Sequence, residues 1–169
     1  METSQSLADL VAAAQAEAKT QEDRISAVQG LGDDQAPSAA QQDELRAATV
    51  ALEAAAVDIF TLFEARMQHH FKRGPFSRKL TALLSQSGQA DLADRVHRYY
   101  LVINVLKHGK GASYRELLAM PESGFTVRKG PDAADGDQAS VGLVDISFPE
   151  FFAGLTGTVL EAAEFLEAQ

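Results

Sequence analysis

Four histidines, and a lysine flanked by glycines, are the side chains of this sequence best suited to chemistry, and all fall between residues 69 and 111. His97 and His108 stand eleven residues apart, close to three helical turns, so on a helix they share a face with Leu101 and Asn104 between them. Eleven residues at helical rise cover about 16 Å, too far for one metal ion to reach both rings. His69 and His70 are adjacent and diverge by about 100° on a helix, whereas Arg66, His70 and Arg73 follow the i, i+4, i+7 spacing of a basic stripe. The Glu-x-x-His and His-Glu-x-x-His patterns are absent. With no cysteine in the chain, disulfides, thiolate metal sites and a cysteine nucleophile are excluded. The expectation is a chain with no metal and no cofactor.

The run Gly109-Lys110-Gly111-Ala112-Ser113 invites comparison with a phosphate loop, because glycines let backbone N–H groups approach an anion. A Walker loop follows a strand and places Lys directly before Ser or Thr; here a helical pattern precedes, and Ala112 separates Gly111 from Ser113. The local reading is a glycine helix stop with a short connector. Even so, the run follows His108 directly and leads into another helical segment. An anion beside His108 would meet its N–H groups. Lys107, Lys110, Arg115 and Arg98 are the cations placed to hold such an anion, and Asn104, one turn before His108, shares its face. In the purely structural reading, Asn104 and His108 brace a helix end, where cations suit the macrodipole.

The charge pattern bears on the same segment. The chain carries a formal net charge of -9, but residues 66 to 115 hold ten bases against Asp91 and Asp94, a net +8 between flanks of -9 and -8. Such asymmetry marks a segment that meets phosphate or another anion. A basic middle can also pair with its own acidic flanks when helices pack, and such surface pairs are individually weak. Both readings are open on the sequence.

The residues Ile103-Asn104-Val105-Leu106-Lys107-His108-Gly109 resemble the end of the conserved helix in HEPN proteins, helical-bundle proteins that include metal-independent endoribonucleases. The family motif is an arginine, four to six residues, then a histidine, often with a polar residue directly after the arginine. Asn104 matches the polar position and His108 the histidine, while Ile103 stands where the arginine belongs. The resemblance extends over roughly residues 50 to 165 by arrangement of helices. It implies His108 as general acid/base, Asn104 orienting it, and cleavage by attack of the ribose 2′-OH on its own phosphate.

These residues are carried by elements that the hydrophobic spacing defines. Helical periodicity covers residues 6 to 29, 39 to 71, 76 to 86, 89 to 107 and 148 to 168, with a shorter piece at 114 to 119. Ser38 with Gln41, Ser113 with Glu116 and Ser147 with Glu150 have capping-box spacing, and Pro149 suits a first helical turn. The first helix has a thin apolar stripe and is followed by Gly30, Gly32, Asp33, Asp34 and Pro37, so residues 1 to 37 read as an N-terminal helix or arm and 38 to 169 as the bundle domain. Alternation at 125 to 128 and 141 to 146 predicts two strands joined by a polar tip at 130 to 140. The predicted fold is therefore all-α: a bundle of about five helices with one small antiparallel β-hairpin near 125–146. No window approaches 18 uninterrupted apolar residues, and Glu2 and Asp9 occupy the place of a signal peptide, so a soluble, cytoplasmic chain without membrane contact is expected. Two functions remain: a protein that binds RNA or a nucleotide phosphate, with weak or degenerate endoribonuclease activity, and a non-catalytic interaction module. A homo-oligomer, most simply a dimer, is expected in either case.

Overall fold

The computed structural model describes residues 5–30, 36–120, 123–128 and 141–169, which form six α-helices and one 3-10 turn. Helix α1 (Leu7–Gln29) starts at Ser6, whose Oγ accepts the Asp9 N–H at 3.1 Å while the Asp9 carboxylate accepts the Ser6 N–H at 3.2 Å. Its stripe of Leu7, Val11, Ala18, Ile25 and Val28 is buried, and the helix lies against α2 (Ala39–Met67) and α6 (Pro149–Glu167). Gln15 adds a cross-helix bond, donating to Thr156 Oγ1 at 2.8 Å. This packing of α1 is made within the chain, most extensively on α2.

Helix α2 begins with the reciprocal box of Ser38 and Gln41 that the spacing predicts. It buries Leu52, Ala56, Ile59, Phe60, Phe63 and Met67, and the Phe60, Phe63 and Phe76 rings meet edge to face at centroid distances of 5.8 and 5.3 Å. It stops at Met67, earlier than the periodicity suggests; a 3-10 turn over Gln68–His70 follows, and Phe71 leaves in an extended conformation. Gly74, with φ +95°, makes the turn, and Pro75 is the N-cap of α3 (Phe76–Gln86). Helix α4 (Ala90–His108) is the central element. It touches α2, α3, α6 and α5 (Ala112–Ala119), so Leu101, Val102, Ile103 and Val105 are all at most 1% exposed. No helix among the described residues is long and apolar enough to cross a membrane.

The helical bundle is as predicted, and the hairpin is not. Among the described residues there is no strand: the expected pairing of 125–128 with 141–146 reduces to one antiparallel bridge, Val127 with Val144. Two backbone bonds hold it, Arg128 N–H to Leu143 O at 2.7 Å and Asp145 N–H to Thr126 O at 2.9 Å. Gly124 (φ +80°) and Gly142 (φ +77°) break the extended run on either side. Leu143 and Val144 are both buried, although adjacent residues of a strand face opposite ways. The apolar residues that suggested a strand are used to cover the bundle with a loop. The expected tip at 130–140 lies outside the described residues.

Two predicted capping boxes also fail, because other partners take the side chains: residues of α4 in the first case and the nearby Asp145 in the second. Helix α5 starts two residues earlier than a Ser113 cap would allow, with Gly111 as N-cap and no side-chain cap, and Ser113 accepts from Asn104 while Glu116 pairs with His97. Ser147 donates to the Asp145 carboxylate at 2.6 Å, and α6 starts from Phe148 with Pro149 in its first turn. Missing its N–H costs proline nothing there.

Candidate functional site

The corner between α4 and α5 gathers most of the residues singled out by the sequence. Helix α4 ends at His108 because Gly109 adopts φ +71°, a conformation that residues with a Cβ rarely take. The Gly109 N–H still closes onto Val105 O at 2.8 Å. Helix α5 begins three residues after Gly109, so Lys107, His108, Lys110 and Arg115 are carried on a helix end, a tight connector and the first turns of the next helix. All four are exposed. His108 has no hydrogen-bond partner among the described residues. Glycine at the α5 N-cap leaves that helix's first N–H groups without a side-chain acceptor.

Among the described residues no hydrogen bond joins Asn104 to His108. Its Nδ2 donates to Ser113 Oγ at 3.2 Å, tying the last turn of α4 to the first turn of α5. A second tie lies two turns back, where His97 Nε2 meets Glu116 Oε1 at 2.8 Å with Tyr100 stacked against the imidazole at 6.5 Å. The two histidines of α4 thus have different surroundings: His97 is held by a carboxylate, and His108 is open. Tyr114 anchors α5 from the other side, donating to Arg128 O at 2.7 Å.

Arg98 is not part of this corner. Ten residues before His108, it lies about 15 Å away along the helix axis, where its guanidinium pairs with Asp94 and donates to Ser123 O at 3.4 Å. Arg95 beside it binds Glu161 of α6 at 2.9 Å, a case of the acidic flank neutralising the basic middle. Lys107 faces an acid as well. Burial pushes the carboxyl of Glu64 on α2 above the usual range, and the nearby Lys107 charge opposes that rise.

Position 103 separates this chain from the HEPN pattern in direction as well as in residue type. Ile103 is 1% exposed and belongs to the core cluster, whereas His108 faces solvent. Five residues turn a helix by about 140°, so a side chain at 103 points into the bundle.

One buried acid was missed by the sequence reading. Glu53 of α2 is 8% exposed, and its Oε1 accepts the Gly142 N–H at 3.0 Å. Burial pushes its carboxyl up to about 7, against the lowering effect of that hydrogen bond. The available signal was positional: Glu53 falls beside Leu52 and one turn before Ala56, on the face that α2 buries. Among the described residues, no three His, Asp or Glu side chains are grouped to hold a metal ion. Comparison of the chain with protein-family models, with curated proteins and with solved structures gives no match in any of the three.

Proposed function

We propose that the α4–α5 corner recognises the phosphate of RNA or a nucleotide, with Lys107, Lys110 and Arg115 as cationic ligands and His108 as general acid/base in a slow, metal-independent cleavage. The observation that carries this reading is the exposed, unpartnered His108 at a helix end, set among three exposed cations and beside the uncapped start of α5. In such a cleavage the 2′-oxygen bonds to phosphorus as the P–O5′ bond breaks, which needs a general acid/base to take the 2′-OH proton and return one to the departing 5′-oxygen, and positive charge near the phosphate. An imidazole among lysines and arginine supplies both. Without an arginine at 103, and with Asn104 turned to Ser113, the site lacks two of the family's aids, so the expected rate is low. The test is a labelled single-stranded RNA incubated with excess chelator, comparing wild type with His108→Ala. Loss of about two orders of magnitude or more is expected for an acid/base residue, with stability changed by less than about 0.5 kcal/mol because the side chain is exposed. Cleavage that persists in His108→Ala removes this histidine from the reaction.

A non-catalytic interaction module is the second reading, and the Asn104–Ser113 bond favours it, because a brace between two helices is a sufficient reason for both side chains. In that reading the chain self-associates as a dimer, RNA is bound weakly or not at all, and sedimentation equilibrium measures the assembly.

A further inference from the structure

We propose that the cleft between α4, the 123–125 segment and the start of α6 binds a small aromatic carboxylate. This is independent of the α4–α5 corner. The cleft encloses about 190 Å³ and is walled by Tyr99, Phe125, Phe148 and Phe151, with Arg95 and Arg98 also lining it. Tyr99, Phe125 and Phe151 form a triangle with every centroid separation at 5.6 Å, and Phe148 joins at 6.0 Å from Phe151. Rings inclined to one another in this way fix the shape of the wall and offer ring edges to a planar guest.

The polar side of the cleft consists mainly of donors. Arg95 engages Glu161 and Thr158 through Nη1, and Arg98 engages Asp94 through Nη2 and Ser123 O through Nη1. Each pairing fixes a guanidinium while leaving other N–H groups of the fork. The Tyr99 hydroxyl has no hydrogen-bond partner among the described residues. It lies so close to Gly154 of α6 that any Cβ there would collide with it, since the ideal position falls 2.2 Å from the hydroxyl oxygen. The small residue is what allows Tyr99 to sit against α6. Both arginines draw on the Tyr99 phenol, although burial outweighs them and raises its ionisation above the ordinary value, so the hydroxyl stays a donor at neutral pH.

These features select a ligand class. Donors in a fork suit a planar carboxylate. Aromatic walls suit a ring attached to it. Glu150 at the lining disfavours a second negative charge, which argues against phosphate dianion. The volume is below the ~300–1,000 Å³ of sites for drug-sized molecules, which limits the guest to about one ring.

The test uses the full chain labelled with ¹⁵N and titrated with benzoate, benzamide, cyclohexanecarboxylate and inorganic phosphate. A ligand this small binds in roughly the millimolar range. Saturable shifts at residues 95–99, 123–125 and 148–151 are expected with benzoate, with each of the other probes about tenfold weaker or more, as expected for loss of a charge-assisted bond or of ring contacts. Arg95→Gln and Tyr99→Phe should each weaken benzoate severalfold. Equal affinity for benzamide and benzoate, shifts confined to other regions, or no saturation with benzoate at roughly ten times the millimolar range would overturn the proposal. The wild-type probe series decides the matter even if a variant does not fold.

Discussion

Ile103 governs what substitution at the α4–α5 corner can teach. The residue is 1% exposed, and its neighbours Val102 and Val105 are fully covered, so placing the arginine of the HEPN pattern there would carry a guanidinium into an apolar core. An unpaired buried charge costs several kcal/mol, more than any gain from a phosphate contact on a surface that the side chain cannot reach. Ile103→Arg is therefore expected to destabilise the fold by about 3 kcal/mol or more, seen as a lower urea midpoint, and to add no cleavage activity. A variant that keeps wild-type stability and cleaves RNA faster would mean that α4 can turn position 103 outward. The sequence shows that isoleucine stands where the HEPN pattern has arginine. It does not show which way the side chain faces, because burial of three consecutive residues, Leu101 to Ile103, depends on α4 being surrounded by other helices.

At the level of elements, α5 is attached to α4 by two side-chain ties, Asn104 to Ser113 and Glu116 to His97. If Asn104 acts as a brace, Asn104→Ala and Ser113→Ala each lose about 1 kcal/mol, and the double variant loses little more than either. Additive losses in a denaturant-midpoint cycle would show that Asn104 works through some other contact. The same ties explain where local spacing misleads. Ser38–Gln41, Pro75, Gly109 and Pro149 are readable in the sequence because a helix end there depends on one residue's own geometry or on a partner three residues away. Ser113–Glu116 has the same spacing, yet each side chain is taken by α4, and no local pattern records that. Glu53 gives a further coupling, between α2 and the 141–147 loop. Its folded-state ionisation near 7 lies above the ~4.3 of an exposed glutamate, so the folded chain holds a proton that the unfolded chain releases as pH rises between those values. Stability from this group is then complete below about pH 4.3, falls as pH rises, and is lost above about 7, a total of order 3 kcal/mol. Glu53→Gln should flatten this fall in urea midpoint, relative to wild type, between pH 4.5 and 8. Superimposable pH profiles would mean that water reaches the carboxylate.

Over the whole molecule, the question is whether an acidic protein can hold a polyanion at one corner. A net charge of -9 repels RNA at long range, and that repulsion is screened within about 10 Å at 0.1 M salt, so binding depends on charges close to the phosphate. Block totals from the sequence locate a basic middle but assign no partners. Packing assigns them: Arg95 goes to Glu161, Arg98 to Asp94, and Lys107 faces Glu64. Lys72, Arg73, Arg78 and Lys79 remain exposed around the α2–α3 turn, at a distance in sequence from the corner. These two groups of cations make different predictions for counterion release. Three phosphate contacts by Lys107, Lys110 and Arg115 give a slope of roughly -2 in log K against log salt for a single strand. The triple variant Lys107→Gln/Lys110→Gln/Arg115→Gln should bring that slope close to zero, while Arg98→Gln, about 15 Å along α4, should leave it unchanged. Fluorescence anisotropy with a short unstructured RNA from 20 to roughly 200 mM salt covers the range in which such slopes are read. A slope that survives the triple variant would place the phosphate contacts at the α2–α3 turn, and His108 would then lie outside the bound strand.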